Sequence, residues 1–588
     1  MQAAWFDVAA ANVTINQTCE HARYAQCVDY EAQALLYTLQ GLANRHRPRL
    51  LFNLGAENVD FPDSDTTWKA YFETQRDVKF STIKPNLCSL VQHFAASGTV
   101  RGAVRYPSDG YSIFLAMTVS GLRDLLPVSA ALAARYPVCL GAAVLRTVQD
   151  LGAQHFADEF AAWRWGIDTL LPNCSRTILF NADYYNNAVI SQGRATLMSV
   201  DYPIAQRAFI MNLCPLWECD GLECKPPSTR RGTPRETELY IEIVESRDEL
   251  VSVWGWSDPE HAYTNITTRA GGVVFCTFST PNLAWWSSLG AARGTAGIKL
   301  PHHDSGQLLD NRTVYVMFET NEGDTPRILT SQFTDAWLSP NRGTVPVSWA
   351  VDPYLAELFP ELWNFYASNT TSNDSFVAGV DGSGYVFVHE LMESDHAPAY
   401  VRRANAMMGH YGINVVDVGV ASNKYPAVTT AEIATYKRLS GELSSSHSAA
   451  AAFLNACGTT YGEPVNGWLP DGTPILNSVC VGPPGDSSDG HYLYYYRDHL
   501  NTSDPALDLA DKIRWAVHRY ATAGRPFFLL AFGGLGLYGG HDDFFLFLQR
   551  VMSHLQETPS TRYRAGWRYR AVGAQEMARL ASRAGSVR

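Results

Sequence analysis

From residue 311 to the C-terminus, short apolar runs alternate with longer amphipathic ones, and that alternation limits the folds open to the chain. Strand-like runs fall at 313–318, 345–349, 376–380, 415–418, 450–454, 474–481, 527–531 and 569–572. Helical spacing occupies 354–367, 398–411, 431–439, 506–523, 541–556 and 574–584. Strands of four to eight apolar residues between helices are the pattern of parallel sheets covered by helices. About eight strand–helix units in about 280 residues is the count and length of a (β/α) barrel. A doubly wound open sheet is the competing architecture, although no Gly-rich dinucleotide fingerprint follows a first strand.

The preceding residues read as α/β as well. Ala34, Leu35, Tyr37, Leu39 and Leu42 repeat at helical spacing, and Pro48 precedes a short strand at 49–53. Further strands are expected at 100–106, 177–180, 239–244 and 273–278, with helices at 111–126 and 145–165. The segment 212–236 is rich in Pro, Cys, Arg and Gly and reads as an exposed loop. At 588 residues the chain exceeds what one core supports. The expectation is an α/β domain at 1–130, a second α/β domain at 131–310 carrying the Cys/Pro-rich loop, and a C-terminal (β/α) barrel-like domain at 311–588.

A net charge of −12 and the lack of a basic stripe argue against a nucleic-acid partner. No run of eighteen apolar residues is present, so no membrane span is expected. The start, Met-Gln-Ala-Ala-Trp-Phe-Asp, lacks a basic region and an apolar stretch, and reads as a secreted chain whose signal peptide has been removed. Sequons at Asn12, Asn16, Asn173, Asn265, Asn311, Asn369, Asn373 and Asn501 agree with secretion, as do 11 cysteines. Cys19 with Cys27, two of Cys214, Cys219 and Cys224, and Cys457 with Cys480 are candidate pairs. An odd count leaves at least one thiol unpaired within the chain. Oligomeric state is not legible.

In a barrel, reacting groups follow the carboxyl ends of strands. Those positions offer Glu322 and Asp324, then Asp352, then Asp381, Tyr385, His389 and Glu390, then Asp417, then Tyr461 and Glu463, and finally His541, Asp542 and Asp543. Each acid taken alone also fits a turn or a helix cap. Asp352, before Pro353 and a helix, suits capping better than chemistry. Hydrolysis of a glycosidic bond needs two carboxyls facing one bond, one protonated and one ionised. Glu322 or Asp324 is expected to supply one, and Asp417, Asp381 or Glu463 the other. Tyr385, flanked by Gly382 and Gly384 on one side and Phe387 on the other, and Trp residues such as Trp256 suit stacking on a sugar, or equally a core. No cofactor is needed for this chemistry.

The turn Gly382-Ser383-Gly384-Tyr385-Val386-Phe387 resembles the signature of the GxGYxYP family of putative glycoside hydrolases. Further segments agree in order: 39–45 before Pro48-Arg49-Leu50, Trp254 to Asp258, Glu322 to Thr325, Trp349 to Pro353 before Leu358-Phe-Pro, and the strand at Pro526-Phe-Phe. Val388 stands where the family has its last Pro, Phe387 where it has its second Tyr, Glu322 for Asp and Thr325 for Asn. The resemblance implies an α/β N-terminal region, a barrel-like C-terminal domain and a carbohydrate substrate. It adds Gly382, Gly384, Asp258 and Trp349, with Tyr461 and His541 at the later strand ends, as residues around the sugar. The expected activity is therefore glycosidic-bond cleavage in an oligo- or polysaccharide. The alternatives are a glycan-binding protein without turnover, or a metal-dependent hydrolase built on His541 and Asp542.

Overall fold

Val-, Leu-, Ile- and Phe-rich runs between amphipathic helices pair in parallel when each crossover is a helix, and the computed structural model follows this rule almost throughout. The structure describes residues 1–8, 10–11, 28–54, 64–182, 197, 199–213, 233–257, 260–277, 280–301, 306, 308–320, 325–418, 428–442, 450–455, 466–478, 503–532, 541–557 and 566–586. The chain divides into two compact units, Met1–Ala296 with Phe359–Glu361, and Gly297–Leu358 with Leu362–Arg588.

Among the described residues, the first unit holds three parallel sheets. Strands β1 (Gln2–Asp7), β2 (Leu50–Asn53) and β3 (Lys79–Thr82) form the order β2-β1-β3. Strands β4 (Ala103–Tyr106), β5 (Leu126–Ser129) and β6 (Thr147–Asp150) form β5-β4-β6. Strands β7 (Ile178–Asn181), β8 (Phe209–Met211), β9 (Val251–Gly255) and β10 (Gly272–Cys276) form β10-β9-β7-β8. Because β6 pairs with β4, one sheet spans residue 130, where a domain boundary was expected.

Among the described residues, the second unit is built on one nine-stranded sheet. Its strands are β11 (Thr313–Thr320), β12 (Val347–Val351), β13 (Asp374–Ala378), β14 (Val415–Asp417), β15 (Ala452–Asn455), β16 (Asn466–Trp468), β17 (Pro474–Asn477), β18 (Phe527–Phe532) and β19 (Arg568–Ala571). The order is β16-β17-β15-β14-β13-β12-β11-β18, and only β16 runs antiparallel to its neighbour. β19 lies beside the first half of β11, while β12 takes over beside Glu319 and Thr320. Ser478, directly after β17, forms a parallel bridge to Leu530 in β18, so the sheet curls until strands near its two ends meet.

The helix Ala574–Ser586 explains the curl. It touches β11, β13, β14 and β17, strands too far apart for one helix to reach across a flat sheet. Its Met577, Leu580 and Ala581 pack with Tyr315, Met317, Val377, Val415, Leu454, Leu476, Phe528 and Leu530 in one buried cluster. Residues two apart on a strand share a face, so this cluster marks the concave face. Trp349 and Phe376, on the opposite face, pack against Trp337.

Two sequence expectations in the first unit are corrected. Residues 239–244 lie in the helix Pro234–Glu245, not in a strand. Thr233 and Glu236 form a reciprocal capping box with Pro234 at the first turn, and Leu239, Tyr240, Ile243 and Val244 are its buried stripe. Residues 145–165 are not one helix: β6 comes first, and a separate helix, Glu159–Thr169, starts where Asp158 caps the Ala161 amide at 2.7 Å.

Arg45, at the end of the helix Val28–Asn44, ties the first unit together. Its guanidinium donates to the carbonyls of Ala205 (3.1 Å), Gly121 (2.5 Å) and Ile204 (2.8 Å) and pairs with Asp124. A buried cation thus satisfies carbonyls at two helix C-termini. Replacing Arg45 with Met leaves those carbonyls and Asp124 without it, and is expected to cost about 2–4 kcal/mol in denaturant unfolding. Arg45→Lys should recover only part of this loss, since an ammonium lacks the planar fork.

Candidate functional site

The concave face of the second unit changes character along each strand. In β11 the residues sharing that face are Tyr315, Met317 and then Glu319; in β14 they are Val415 and then Asp417. Apolar side chains therefore fill the part that packs on the C-terminal helix, and acids stand at the carboxyl ends. Glu319 and Asp417 are both fully buried. Burial holds the Glu319 carboxyl well above the usual range, and the Asp417 charge raises it further. Two acids sharing a low-dielectric site cannot both ionise freely, so the pair keeps a proton.

The strands between these acids present small residues. Asp381 donates its amide to the Asp417 carbonyl at 2.8 Å, and Gly379 donates its amide to the Val351 carbonyl at 3.1 Å. A Cβ placed on Gly379 would lie 3.1 Å from the Ala350 Cβ and 3.8 Å from the Asp417 Cβ. The glycine thus leaves room next to Asp417 that any other residue would fill.

Asp352 follows β12. Its Oδ1 accepts the Tyr354 amide at 2.8 Å, the capping role anticipated from Pro353. Burial pushes its carboxyl up to about 7, against the opposing pull of the Tyr354 amide and of Arg403.

The Gly-Ser-Gly-Tyr turn is a clamped piece of backbone. Asp381, Gly382 and Gly384 have φ of 58°, 106° and 96°. Tyr436 donates its hydroxyl to the Asp381 carbonyl at 3.1 Å, and a Cβ on Gly382 would lie 2.5 Å from that hydroxyl oxygen. Tyr400 accepts the Ser383 amide at 3.1 Å and donates to the Gly384 carbonyl at 2.6 Å. Arg403 donates to the Ser383 hydroxyl (3.0 Å) and carbonyl (2.8 Å) while lying 4.7 Å above the Tyr354 ring. Gly382 and Gly384 are required here for backbone shape and close approach. The Asp381 Oδ2 accepts the Val386 amide at 3.3 Å, closing the turn from within. Tyr385 keeps 7% exposure and meets Phe387 edge to face at 6.0 Å. Phe387 is buried, so the hydroxyl of the family's Tyr would need a partner in this apolar position. His389, just beyond, is bonded through Nδ1 to Glu432 at 2.6 Å, which raises its pKa.

The structure thus brings Asp417 together with Glu319 and places the turn of Asp381, Gly382, Gly384 and Tyr385 on the adjoining strand end. Trp349 is fully buried between Phe333, Trp337 and Phe545, with no ring face left for a sugar. Trp256, in the first unit, is buried against Tyr263. Glu322, Asp324, Asp258, Tyr461 and Glu463 lie outside the described residues, as do the cysteines proposed to pair. His541 opens the helix His541–Glu557, and its side chain is likewise outside the description. Among the described residues, no three His, Cys, Asp or Glu groups are placed to hold a metal ion, and no helix is long and apolar enough to cross a membrane. Sequence reasoning missed Glu319. The available signal was an acid inside an otherwise apolar strand, two residues beyond Met317 on the same face.

Residues 312–465 match the family model described as the GxGYxYP putative glycoside hydrolase C-terminal domain. The resemblance carried by the Gly382–Phe387 turn is therefore shown for the segment holding Glu319, Asp352, Asp381 and Asp417. The chain shares its fold with a putative hydrolase from Bacteroides thetaiotaomicron, at TM-score 0.70 and 16% identity, covering 99% of this chain and 94% of that one. A putative polysaccharide deacetylase from Mycobacterium smegmatis aligns at TM-score 0.26 and 13% identity, over 49% of this chain and 94% of its own. No curated protein matches in sequence.

Two outcomes are expected in the GxGYxYP segment. Folded Asp352 keeps its proton up to about pH 7, whereas its unperturbed value is 3.8. Between those values the folded state binds more protons, so this residue lowers stability as pH rises, by at most roughly 4 kcal/mol. Asn caps helices as well as Asp, so Asp352→Asn should match the parent near pH 4 and exceed its melting temperature at pH 8. Gly382→Ala should cost about 1–3 kcal/mol through strain at positive φ. Adding Tyr436→Phe should return only the part due to crowding against the hydroxyl, read by thermal unfolding of both variants.

Proposed function

We propose that the second unit is a glycoside hydrolase that cleaves an oligo- or polysaccharide by paired-carboxylate chemistry, and that its curled sheet works as a (β/α) barrel. The observation that carries this is the buried Glu319–Asp417 pair on one face at the carboxyl ends of β11 and β14. The description of the family matched over 312–465 supports the same chemistry. Glu319, kept protonated by burial and by its neighbour, is the general acid that gives its proton to the glycosidic oxygen. Asp417 is the ionised partner, serving as nucleophile at a carboxyl separation of ~5 Å or activating a water at ~6.5–9.5 Å. The Asp381–Tyr385 turn forms a rigid wall at the strand end beside Asp417. Glu322, Asp324 and Glu463, expected from the sequence as catalytic carboxyls, lie outside the described residues and stay open as such. Both members of the pair are enclosed, so turnover requires the strand ends to open for substrate.

The test is product release from a panel of oligo- and polysaccharides by the parent, Glu319→Gln and Asp417→Asn. Each substitution is expected to lower kcat about 10²–10⁴-fold, with Glu319→Gln also removing the basic limb of the pH profile. Parental rates in both variants would overturn the assignment. The enclosure of both carboxyls favours a second reading, a glycan-binding protein without turnover. Saturable oligosaccharide binding with no product from the parent would select it.

A further inference from the structure

Five of the eight sequons fall on described residues, and the structure sorts them. Asn173 is exposed at the end of the single turn Leu171–Asn173. Asn311 is exposed in the turn before β11, and its Thr313 donates its hydroxyl to Asp310 at 2.9 Å. Asn369 is exposed beyond the helix Pro360–Ala367, and Thr371 donates its hydroxyl to Asp374 at 2.8 Å. Asn173 and Asn369 donate their side-chain amides to the carbonyls of Thr169 (3.1 Å) and Phe365 (3.4 Å), and Thr313 is buried, but all three asparagines are themselves exposed in turns, and that exposure separates them from the other two. Asn265 is half-buried inside the helix Glu260–Arg269, and its Thr267 is fully buried, donating to the Tyr263 carbonyl at 2.7 Å. Asn373 is half-buried, with its amide nitrogen held 2.6 Å from the Gly343 carbonyl immediately before β13.

A second observation is independent of the sequons. Cys88, in the helix Leu87–Ala96, and Cys139, in the short helix Pro137–Leu140, form a disulfide across 51 residues. Neither cysteine was a candidate for pairing from spacing alone. Disulfides of this structural kind form in oxidising compartments, which is also where sequons meet the glycosylation machinery.

We propose that this chain matures in an oxidising secretory compartment and carries N-linked oligosaccharides on Asn173, Asn311 and Asn369, but not on Asn265 or Asn373. In the transfer, the side-chain amide nitrogen attacks the anomeric carbon of an oligosaccharide carried on a polyprenyl diphosphate. A C–N bond forms, the bond to the diphosphate breaks, and the amide gives up one proton as the lipid diphosphate leaves. Only sites whose attached sugar clears the folded surface persist in correctly folded protein. The three turns satisfy that condition, whereas the helix around Asn265 and the strand entry at Asn373 do not.

The experiment is peptide mapping of the full chain purified from its own cells and treated with peptide N-glycosidase in ¹⁸O-water, which converts each occupied Asn into ¹⁸O-labelled Asp. Label is expected at 173, 311 and 369 and absent at 265 and 373. An unlabelled residue among the first three overturns that site, and label at 265 or 373 overturns the sorting by surface geometry. Alkylation without prior reduction provides a second readout. Cys88 and Cys139 should resist it, and their modification would overturn the oxidising compartment whatever the sugars show.

Discussion

The packing of one C-terminal helix against alternate residues of β11, β13, β14 and β17 decides much of what the second unit can do. A flat parallel sheet would spread the ends of β11 and β14 apart, because two strands, β12 and β13, lie between them. Wrapping the sheet around Met577, Leu580 and Ala581 turns the same residues inward. Once Tyr315, Met317 and Val415 are committed to that core, pleating sends Glu319 and Asp417 to the same side. A one-residue slip in either strand would reverse every side chain on it. The energy that fixes the register comes from apolar burial, and the meeting of the acids is its geometric consequence. Glu319 adds a cost of its own, since enclosing an acid next to another charge is unfavourable.

The signature turn contributes in a different way. A sequence motif of two glycines around a serine invites the idea that the exposed loop touches a ligand. Here Tyr400, Arg403 and Tyr436 hold the turn through its carbonyls and amides, and the glycines supply a backbone path and a gap for the Tyr436 hydroxyl. Such a turn is rigid because its partners come from two helices outside the sheet, Ala397–Tyr411 and Thr430–Glu442. Rigidity at a strand end matters when neighbouring carboxyls must keep their spacing. It also accounts for Phe387 in place of Tyr. The position is an apolar support under Tyr385, and a hydroxyl there adds a polar group to satisfy.

Much of the second unit was legible because strand and helix signals there are long, alternate regularly and agree with each other. All eight strand-like runs from 313–318 to 569–572 became strands. The short antiparallel β16 and the helices Thr325–Thr330, Gln332–Trp337 and Val388–Met392 were not anticipated, since each is brief and polar or apolar without a clear period. In the first unit, Leu-Tyr-Ile-Glu-Ile-Val at 239–244 alternates like a strand, while the helix-start signal, the capping box of Thr233 and Glu236, lies upstream in the Pro- and Arg-rich segment. Site residues were harder still. Asp417 was reachable from its place at a strand end, but Glu319 was overshadowed by the polar Glu322–Asp324 loop, which looks more like a place for chemistry. Local sequence marks where charges are exposed; which of them face each other depends on curvature, and curvature is set by a helix far along the chain from both acids.

That separation also bears on how the acids came to be enclosed. Glu319 lies on β11 and Asp352 directly follows the adjoining β12, and burial raises both carboxyls, Asp352 to about 7 and Glu319 well above its usual range. Each is costly to ionise, and the core beneath them is apolar. An acid at a position that Leu or Asn would fill at lower cost calls for a reason other than stability. Asp352 has one in part, as the cap of the helix that follows, but Asn would cap equally well. Under the function proposed above, that reason is the chemistry assigned to Glu319 and Asp417, whereas at Asp352 the Arg403 guanidinium moderates a charge that burial penalises.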